Sequence, residues 1–357
     1  MSLAQNGLLR VPTSALEMTS VTLQYLSLAG NNFNKLFAPN VNTSFYHWST
    51  FPLMRTLKEL DLRNCSIDSL DDNIFRNIPR LEHLFMGHNL FKNIASSAFK
   101  YLSKLTHLDI SYNNYYKGSK EPVIDDGLYL PNNAFQNLSD LFFLDFSHTK
   151  LLPGSINAFS SLGSKLEQLS LCYTEITTIT PSMFDGTNIK VLDLTGNLFL
   201  SKSLRLNSFN GLENKLEVLV FGEANLKHPW YFKNLTSLKM LDLSDNYISE
   251  VNSSFFLRFP KLEILDLQNN HIQKWQDPVF NENHKLMILN LRGNKINYLS
   301  PQMMEDFSSV KFLAIGNNNY ICTCILREFI DKAIRNVRDF HCPNQAGVEQ
   351  DLNVSNA

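Results

Sequence analysis

Near the end of the chain, Cys322, Cys324 and Cys342, with His341 beside the last of them, are the residues whose types and spacing could do chemistry. Thiols gathered in this way read either as a disulfide staple in an oxidising compartment or as part of a zinc site. Zinc binds its ligands tetrahedrally, and the adjacent His341 and Cys342 would strain that geometry. The staple is therefore the stronger reading, and no metal is expected. Cys65 replaces Asn in a repeating column and reads as structural. Cys172 reads as a thiol without a role, because reactivity requires a depressed pKa.

His83 and His107 hold equivalent places in consecutive repeats, with His88 nearby. Imidazoles stacked about 4.8 Å apart resist double protonation, which would make a pH-sensitive contact. Glu59 in the preceding repeat could neutralise the pair, so ordinary surface histidines are the plainer reading. Asp61, Asp109, Asp145, Asp193, Asp242 and Asp266 form a further column, read as fold chemistry rather than as a cation site. The chain holds no G-x-G-x-x-G, Walker, H-E-x-x-H or G-x-S-x-G sequence, and no spacing assembles a catalytic triad. It reads as a protein that is not an enzyme and has no cofactor.

The elements that position these residues are repeats. Twelve times the chain places leucine-like residues at offsets 0, 3 and 5 and usually Asn at offset 8, starting at Leu23, Leu57, Leu81, Leu105, Leu141, Leu166, Ile189, Leu216, Leu238, Leu262, Leu286 and Val310. Most starts lie 22 to 27 residues apart, the spacing of leucine-rich repeats. Offsets 3 and 5 alternate with polar residues, the period of a half-buried strand. The Asn side chain can bond backbone where the chain turns, and copies in register make a ladder. Thr149, Thr174 and Ala224 stand where Asn is expected, which thins the ladder in the middle of the array. Phe75, Phe99, Phe159, Phe184, Phe256 and Phe280 recur at offset 18, predicting an aromatic spine behind the sheet. Offsets 2, 4 and 6 should face outward: Glu59, Asp61 and Arg63, then His83, Phe85 and Gly87, then Phe143, Asp145 and Ser147. The fold class is an α/β solenoid, a leucine-rich-repeat horseshoe with a parallel concave sheet and a C-terminal cysteine-containing cap. Residues 1–321 form the solenoid, a partial first repeat plus twelve repeats, and 322–357 the cap. Twelve strands give an inner arc on the order of 58 Å, a span suited to a macromolecule.

Leu3, Asn6, Leu8, Val11 and Pro12 read as the tail of a repeat that began earlier, so the chain is expected to be a fragment. It carries no secretory leader at its start and no run of eighteen apolar residues. With net charge −2, neither nucleic acid nor an anionic membrane is favoured as a partner. Ile325, Phe329, Ile330, Ala333, Ile334 and Val337 recur at helical spacing, predicting an amphipathic helix over the last repeat.

The Phe-bearing repeats, closing in Asn318-x-Tyr320-Ile321-Cys322-Thr323-Cys324 and then His341-Cys342-Pro343-Asn344-Gln345-Ala346-Gly347, resemble the C-terminal half of a Toll-like receptor ectodomain. The resemblance covers essentially the whole chain. It implies a disulfide from Cys322 to Cys342, with Cys324 left without its partner because the family's fourth cysteine is absent here and the cap is truncated. The family's cap-helix Trp is also missing, with Phe329 the nearest aromatic. The resemblance further implies an extracellular or endosomal lumenal domain of a single-span membrane protein, with membrane contact only through a parent segment outside this soluble region.

Two repeats are overlong. The one from Leu105 runs 36 residues, and its excess holds Tyr112, Tyr115, Tyr116, Lys117, Lys120 and Tyr129. Tyrosines of this kind are enriched at interfaces. The repeat from Leu23 runs 34 residues, with Phe45, Tyr46, His47 and Trp48 in its excess. Sequons stand at Asn42, Asn137, Asn234, Asn252 and Asn353. Asn137 and Asn234 each lie four residues before the next repeat start, on the edge where strands begin, whereas the Tyr-rich excess leaves where strands end. With one edge sugar-covered, the ligand or dimer surface is expected on the other, at Tyr112, Tyr115, Tyr116, Lys117, Lys120 and Tyr129, together with the outward-facing His83, Phe85 and His107 of the sheet. The function expected is ligand recognition within a Toll-like innate-immune receptor ectodomain. The ligand would be a protein, lipid or glycan of microbial or endogenous origin, and the receptor a homo- or heterodimer. The alternative is an extracellular leucine-rich-repeat adhesion or matrix protein without a signalling role.

Overall fold

A computed structural model describes residues 1–33, 51–113, 127–275, 277–280 and 282–321, together with the backbone of Cys342–Pro343 and Glu349–Gln350. The chain divides into two compact units, Met1–Asp193 with Asn210–Leu212 and Leu194–Phe209 with Glu213–Ala357. Each is a run of leucine-rich repeats, so the chain is a repeat solenoid.

In the first unit the repeats contribute β1 (Tyr25–Ser27), β2 (Glu59–Asp61), β3 (His83–Phe85), β4 (His107–Asp109), β5 (Phe143–Asp145), β6 (Gln168–Ser170) and β7 (Val191–Asp193). Each pairs in parallel with the next, and the residue at offset 3 always meets its counterpart: Leu26 with Leu60, Leu60 with Leu84, Leu84 with Leu108. The second unit contributes β8 (Val218–Val220), β9 (Met240–Asp242), β10 (Ile264–Asp266), β11 (Ile288–Asn290) and β12 (Phe312–Ala314). Leu241, Leu265, Leu289 and Leu313 pair in register there. Register holds because a one-residue slip would turn the buried leucines to solvent. Burying each of them stabilises by about 1.5–3 kcal/mol.

Behind the strands, the aromatic spine is fuller than a fixed offset of 18 predicts. Counted back from the next repeat start, a Phe recurs five to seven residues earlier, and this adds Phe135, Phe209 and Phe232. Variable loop length had displaced them from the forward count. All are buried, and neighbours touch: Phe75 and Phe99 lie 6.3 Å apart between ring centroids, Phe99 and Phe135 6.4 Å, Phe209 and Phe232 5.3 Å, Phe256 and Phe280 4.9 Å.

The offset-8 ladder closes each turn. Asn89 Oδ1 accepts from the Cys65 and Ile67 amides at 2.9 and 3.0 Å, while its Nδ2 donates to the Leu62 and Met86 carbonyls at 2.8 and 2.9 Å. Thr149 reproduces part of this pattern, its Oγ1 accepting from the Asn113 amide and donating to the Ile110 carbonyl. The Cys65 thiol donates to the Leu28 carbonyl at 3.2 Å, and burial pushes its pKa up to about 12, which makes it an inert structural group. One residue before the ladder, at offset 7, the backbone is left-handed in every repeat, from Gly30 (φ 70°) to Asn317 (φ 53°).

The Cys322–Cys342 pairing, Cys324, the 325–337 helix, the Phe45–Trp48 segment and the sequons at Asn42 and Asn353 lie outside the described residues. Of the cap, the backbone of Cys342–Pro343 pairs antiparallel with Glu349–Gln350. No helix among the described residues is long and apolar enough to cross a membrane.

Candidate functional site

Left-handed backbone costs an L-residue roughly 1–2 kcal/mol, which is why turns of this kind favour Gly, Asn or Asp. Most repeats obey, with Gly30, Asn64, Gly196, Asp245, Asn269, Gly293 and Asn317 at offset 7. Glu223 (φ 48°) departs singly, and four consecutive repeats depart together: His88 (φ 58°), Tyr112 (φ 54°), His148 (φ 57°) and Tyr173 (φ 53°) carry rings there. The shared conformation points all four the same way from adjacent turns, so they stack. Centroids are 4.7 Å apart for His88 and Tyr112, 4.4 Å for Tyr112 and His148, and 4.7 Å for His148 and Tyr173, with planes within 10–14° of parallel. Tyr112 and Tyr173 keep 37% and 36% of their surface exposed. The result is a rigid aromatic ribbon on the edge where strands end.

Two residues past His148 and Tyr173, the Lys150 ammonium and the Glu175 carboxylate pair at 3.2 Å over a cavity of about 190 Å³ lined by Leu151, Pro153, Ile176 and Thr178. Charge and apolar surface thus adjoin the ribbon.

A second cluster sits on the outward face of the sheet. His83 and His107 pair across β3 and β4 with centroids 4.6 Å apart, and His107 also lies 5.8 Å from Phe143 and 5.9 Å from Phe142. Burial first, and then the neighbouring His83, pushes the His107 pKa below its ordinary value. The Arg63 guanidinium lies 5.4 Å from the Phe85 ring centroid, a cation–π approach.

Asp61 departs from the outward placement expected of it. It is 4% exposed, because Arg63 folds back over it with Nε and Nη2 both at 2.9 Å and Ser27 Oγ closes the other side at 3.3 Å. Burial acts to raise the Asp61 carboxyl, but the hydrogen bonds and charge of Arg63 outweigh it and hold the pKa below the usual range. Gly87 is likewise buried, covered by its neighbours: a β-carbon there would lie 3.1 Å from Ser111 Oγ and 3.3 Å from Asp109 Oδ2. The other column aspartates serve the turn: Asp109, Asp145, Asp242 and Asp266 each accept the amide two residues on, at 2.7–2.9 Å. Among the described residues no three His, Cys, Asp or Glu side chains converge as a metal site would require.

The structure therefore brings His83, Phe85 and His107 onto one face and Tyr112 into the ribbon. It does not bring Tyr129 there: that residue is bridged to Asn93 in a separate backbone array and makes no ring contact among the described residues. Tyr115, Tyr116, Lys117 and Lys120 lie outside the described residues. His148 and Tyr173 were missed, although reading down offset 7 would have found them. Asn234 and Asn252 are exposed and Asn137 half-buried. Asn252 also caps a short helix, its Oδ1 accepting from the Ser254 amide at 2.8 Å.

The chain matches the family model described as "Leucine rich repeat" over residues 55–114, 228–272 and 260–319, and that described as "BspA type Leucine rich repeat region (6 copies)" over 123–227. It is 30% identical to lumican of Rattus norvegicus over 206 residues, 55% of this chain and 60% of that protein. It is 32% identical to Toll-like receptor 3 of Bos taurus over 241 residues, 64% of this chain and 25% of that protein. The match therefore spans a quarter to three-fifths of these relatives' own length. Among solved structures, the crystal structure of a TLR13–ssRNA13 complex superposes with a TM-score of 0.72 at 24% identity, covering 97% of this chain and 48% of that one. The FLRT2 repeat domain, in a complex with latrophilin 3 and Unc5D, gives 0.58 at 19%, covering 95% and 89%. At these identities the structural likeness bears on the fold alone.

Proposed function

We propose, from the premise that this chain belongs to the leucine-rich repeat family, that it is a ligand-recognition region of a Toll-like receptor ectodomain that dimerises through its lateral and C-terminal surfaces to trigger signalling by the parent molecule. The observation that carries this reading is the His88–Tyr112–His148–Tyr173 ribbon. Its rings are held in a conformation that glycine adopts without strain, and such departures gather at functional sites. Rigid amphipathic rings offer contact area at low entropic cost, the property that makes tyrosine common in recognition surfaces.

The partner in this reading is a protein, lipid or glycan of microbial or endogenous origin, with a second receptor ectodomain completing a dimer. Net charge −2 provides no overall attraction for a polyanion. The ssRNA in the TLR13 complex nevertheless makes nucleic acid the comparison to run beside those ligands. The Cys322–Cys342 disulfide and glycans on Asn137, Asn234 and Asn252 belong to the same reading, on an extracellular or endosomal lumenal side.

The similarity to lumican, at nearly the identity of the receptor match, favours a second reading as an extracellular adhesion or matrix protein without signalling role. Sequencing the full-length transcript separates the two. A coding region that continues through one membrane span into a cytoplasmic signalling domain supports the receptor. One that ends in a secreted terminus overturns it in favour of the matrix protein.

A further inference from the structure

At the opposite edge, where strands begin, the residues immediately before β1 to β4 are Gln24, Lys58, Glu82 and Thr106. Together with Arg55, Arg80 and Lys104 they line a cavity of about 480 Å³. Four cations thus meet a single carboxylate. Lys58 is paired with Glu82 at 2.9 Å, and Lys104 leans outward to Asp140 at 3.3 Å. Among the described residues, Arg55 and Arg80 enter no ion pair, and both are exposed.

Further along this edge lysines pair with carboxylates of neighbouring repeats, as with Lys165 and Asp140, Lys190 and Glu167, and Lys239 and Glu217. The first four repeats add Arg55 and Arg80 to such pairs and so hold like charges around one concavity, where an anionic ligand would relieve their repulsion. Guanidinium groups grip planar or tetrahedral oxyanions through two parallel N–H donors.

We propose that this cavity binds a sulfated glycan, with Arg55 and Arg80 gripping sulfate groups and Lys58 and Lys104 adding charge at either side. The lining carries no aromatic ring. A single-stranded nucleic acid draws much of its affinity from bases stacked on such rings, so the cavity fits a chain of sulfated sugars better. Thr56, Thr106 and Gln24 supply hydroxyl and amide groups of the kind that meet sugar hydroxyls. The site is independent of the strand-end ribbon and goes beyond the receptor reading.

The test is calorimetric titration of the full chain at about 0.15 M salt, where charges beyond about 8 Å are screened. The probes are a heparin-derived hexasaccharide, the same hexasaccharide after desulfation, and a single-stranded RNA of equal charge. The expected result is saturable binding of the sulfated probe, at least tenfold tighter than either of the others. The double variant R55E/R80E should weaken it at least tenfold while keeping the wild-type circular dichroism. The control K261E/K285E, which reverses charge on the same edge in distant repeats, should bind as wild type. Equal weakening by both double variants would mean that net charge alone drives binding, and would overturn the site. Tighter binding of the RNA would overturn the ligand class, and absence of binding by the sulfated probe would overturn the proposal outright.

Discussion

The rings of Tyr112 and His148 stack at 4.4 Å with planes 14° apart, although each residue sits in left-handed backbone. Two opposing effects meet here. Strain costs roughly 1–2 kcal/mol per residue, and each ring pair returns about 0.5–1.5 kcal/mol. Tyr173, at the end of the ribbon, allows the two to be separated. Tyr173→Gly removes the strain together with the ring, whereas Tyr173→Ala removes the ring and keeps the strain. Urea denaturation should therefore find the Gly variant within about 1 kcal/mol of wild type and the Ala variant lower than Gly by about 1 kcal/mol. If Ala proves as stable as Gly, the backbone at 173 is not strained.

A ladder asparagine should be worth more than any ribbon ring. Asn270 Nδ2 donates to the Leu243, Leu267 and Gln268 carbonyls at 2.9–3.1 Å, and its Oδ1 accepts the Ile248 amide at 2.9 Å. Asn270→Ala strands buried backbone groups at about 1–3 kcal/mol each, so a loss of roughly 3 kcal/mol is expected. Asn270→Thr should fall between Ala and wild type, because Thr149 shows that a hydroxyl both accepts and donates at this place. Denaturation midpoints with unchanged m-values would measure the order. A Thr variant no better than Ala would count against the hydrogen-bond account.

The strands and ladder were legible because each repeat must bury the same leucines and close the same turn, leaving one residue type in one column. Offset 7 was not, since Gly, Asn, Asp, Glu, His and Tyr share only a backbone conformation there. Once that conformation is known, the four rings stand out as exceptions. Asp61 misled for a different reason: the period assigned it outward, but Arg63 two residues on curls back to cover it. The basic cavity escaped notice because Arg55, Lys58, Arg80 and Lys104 occupy three different offsets and meet only when the repeats stack.

Asp306 is fully buried with donors on both carboxylate oxygens. The Trp275 indole reaches Oδ2 at 2.7 Å, and the Val279 and Phe280 amides reach Oδ1 and Oδ2 at 2.8–3.1 Å. No cation is among these partners. Asp306→Ala leaves an indole and two amides without acceptors, at about 1–3 kcal/mol per group, enough to unfold the last repeats. Asp306→Asn keeps one acceptor oxygen and should lose less. In a W48F/W230F background, which leaves one tryptophan, the emission of Trp275 reports this locally. A marked red shift is expected for Ala and a smaller one for Asn, and no shift for Ala would show that the contact does not hold the indole in place.

Acidification should weaken the first unit through His107. Burial and then His83 push its pKa below 6.5, so between that lowered value and 6.5 the unfolded chain takes up a proton that the folded chain refuses. Stability is therefore full above 6.5 and falls as pH drops through this window, levelling once the folded ring itself is protonated. Asp145 works in the opposite sense. Burial, with Asp109 and Asp193 adding to it, raises its pKa above 3.8, so the folded state gains stability as it binds that proton. Subtraction isolates the imidazole: wild type and His107→Gln are unfolded by urea at pH 7.5, 6.5 and 5.5. The wild type should lose more between 6.5 and 5.5 than the variant, whose profile should flatten over that interval. Because His83 remains in both proteins, identical profiles would assign the acid sensitivity to some other group and remove the coupled pair from the account.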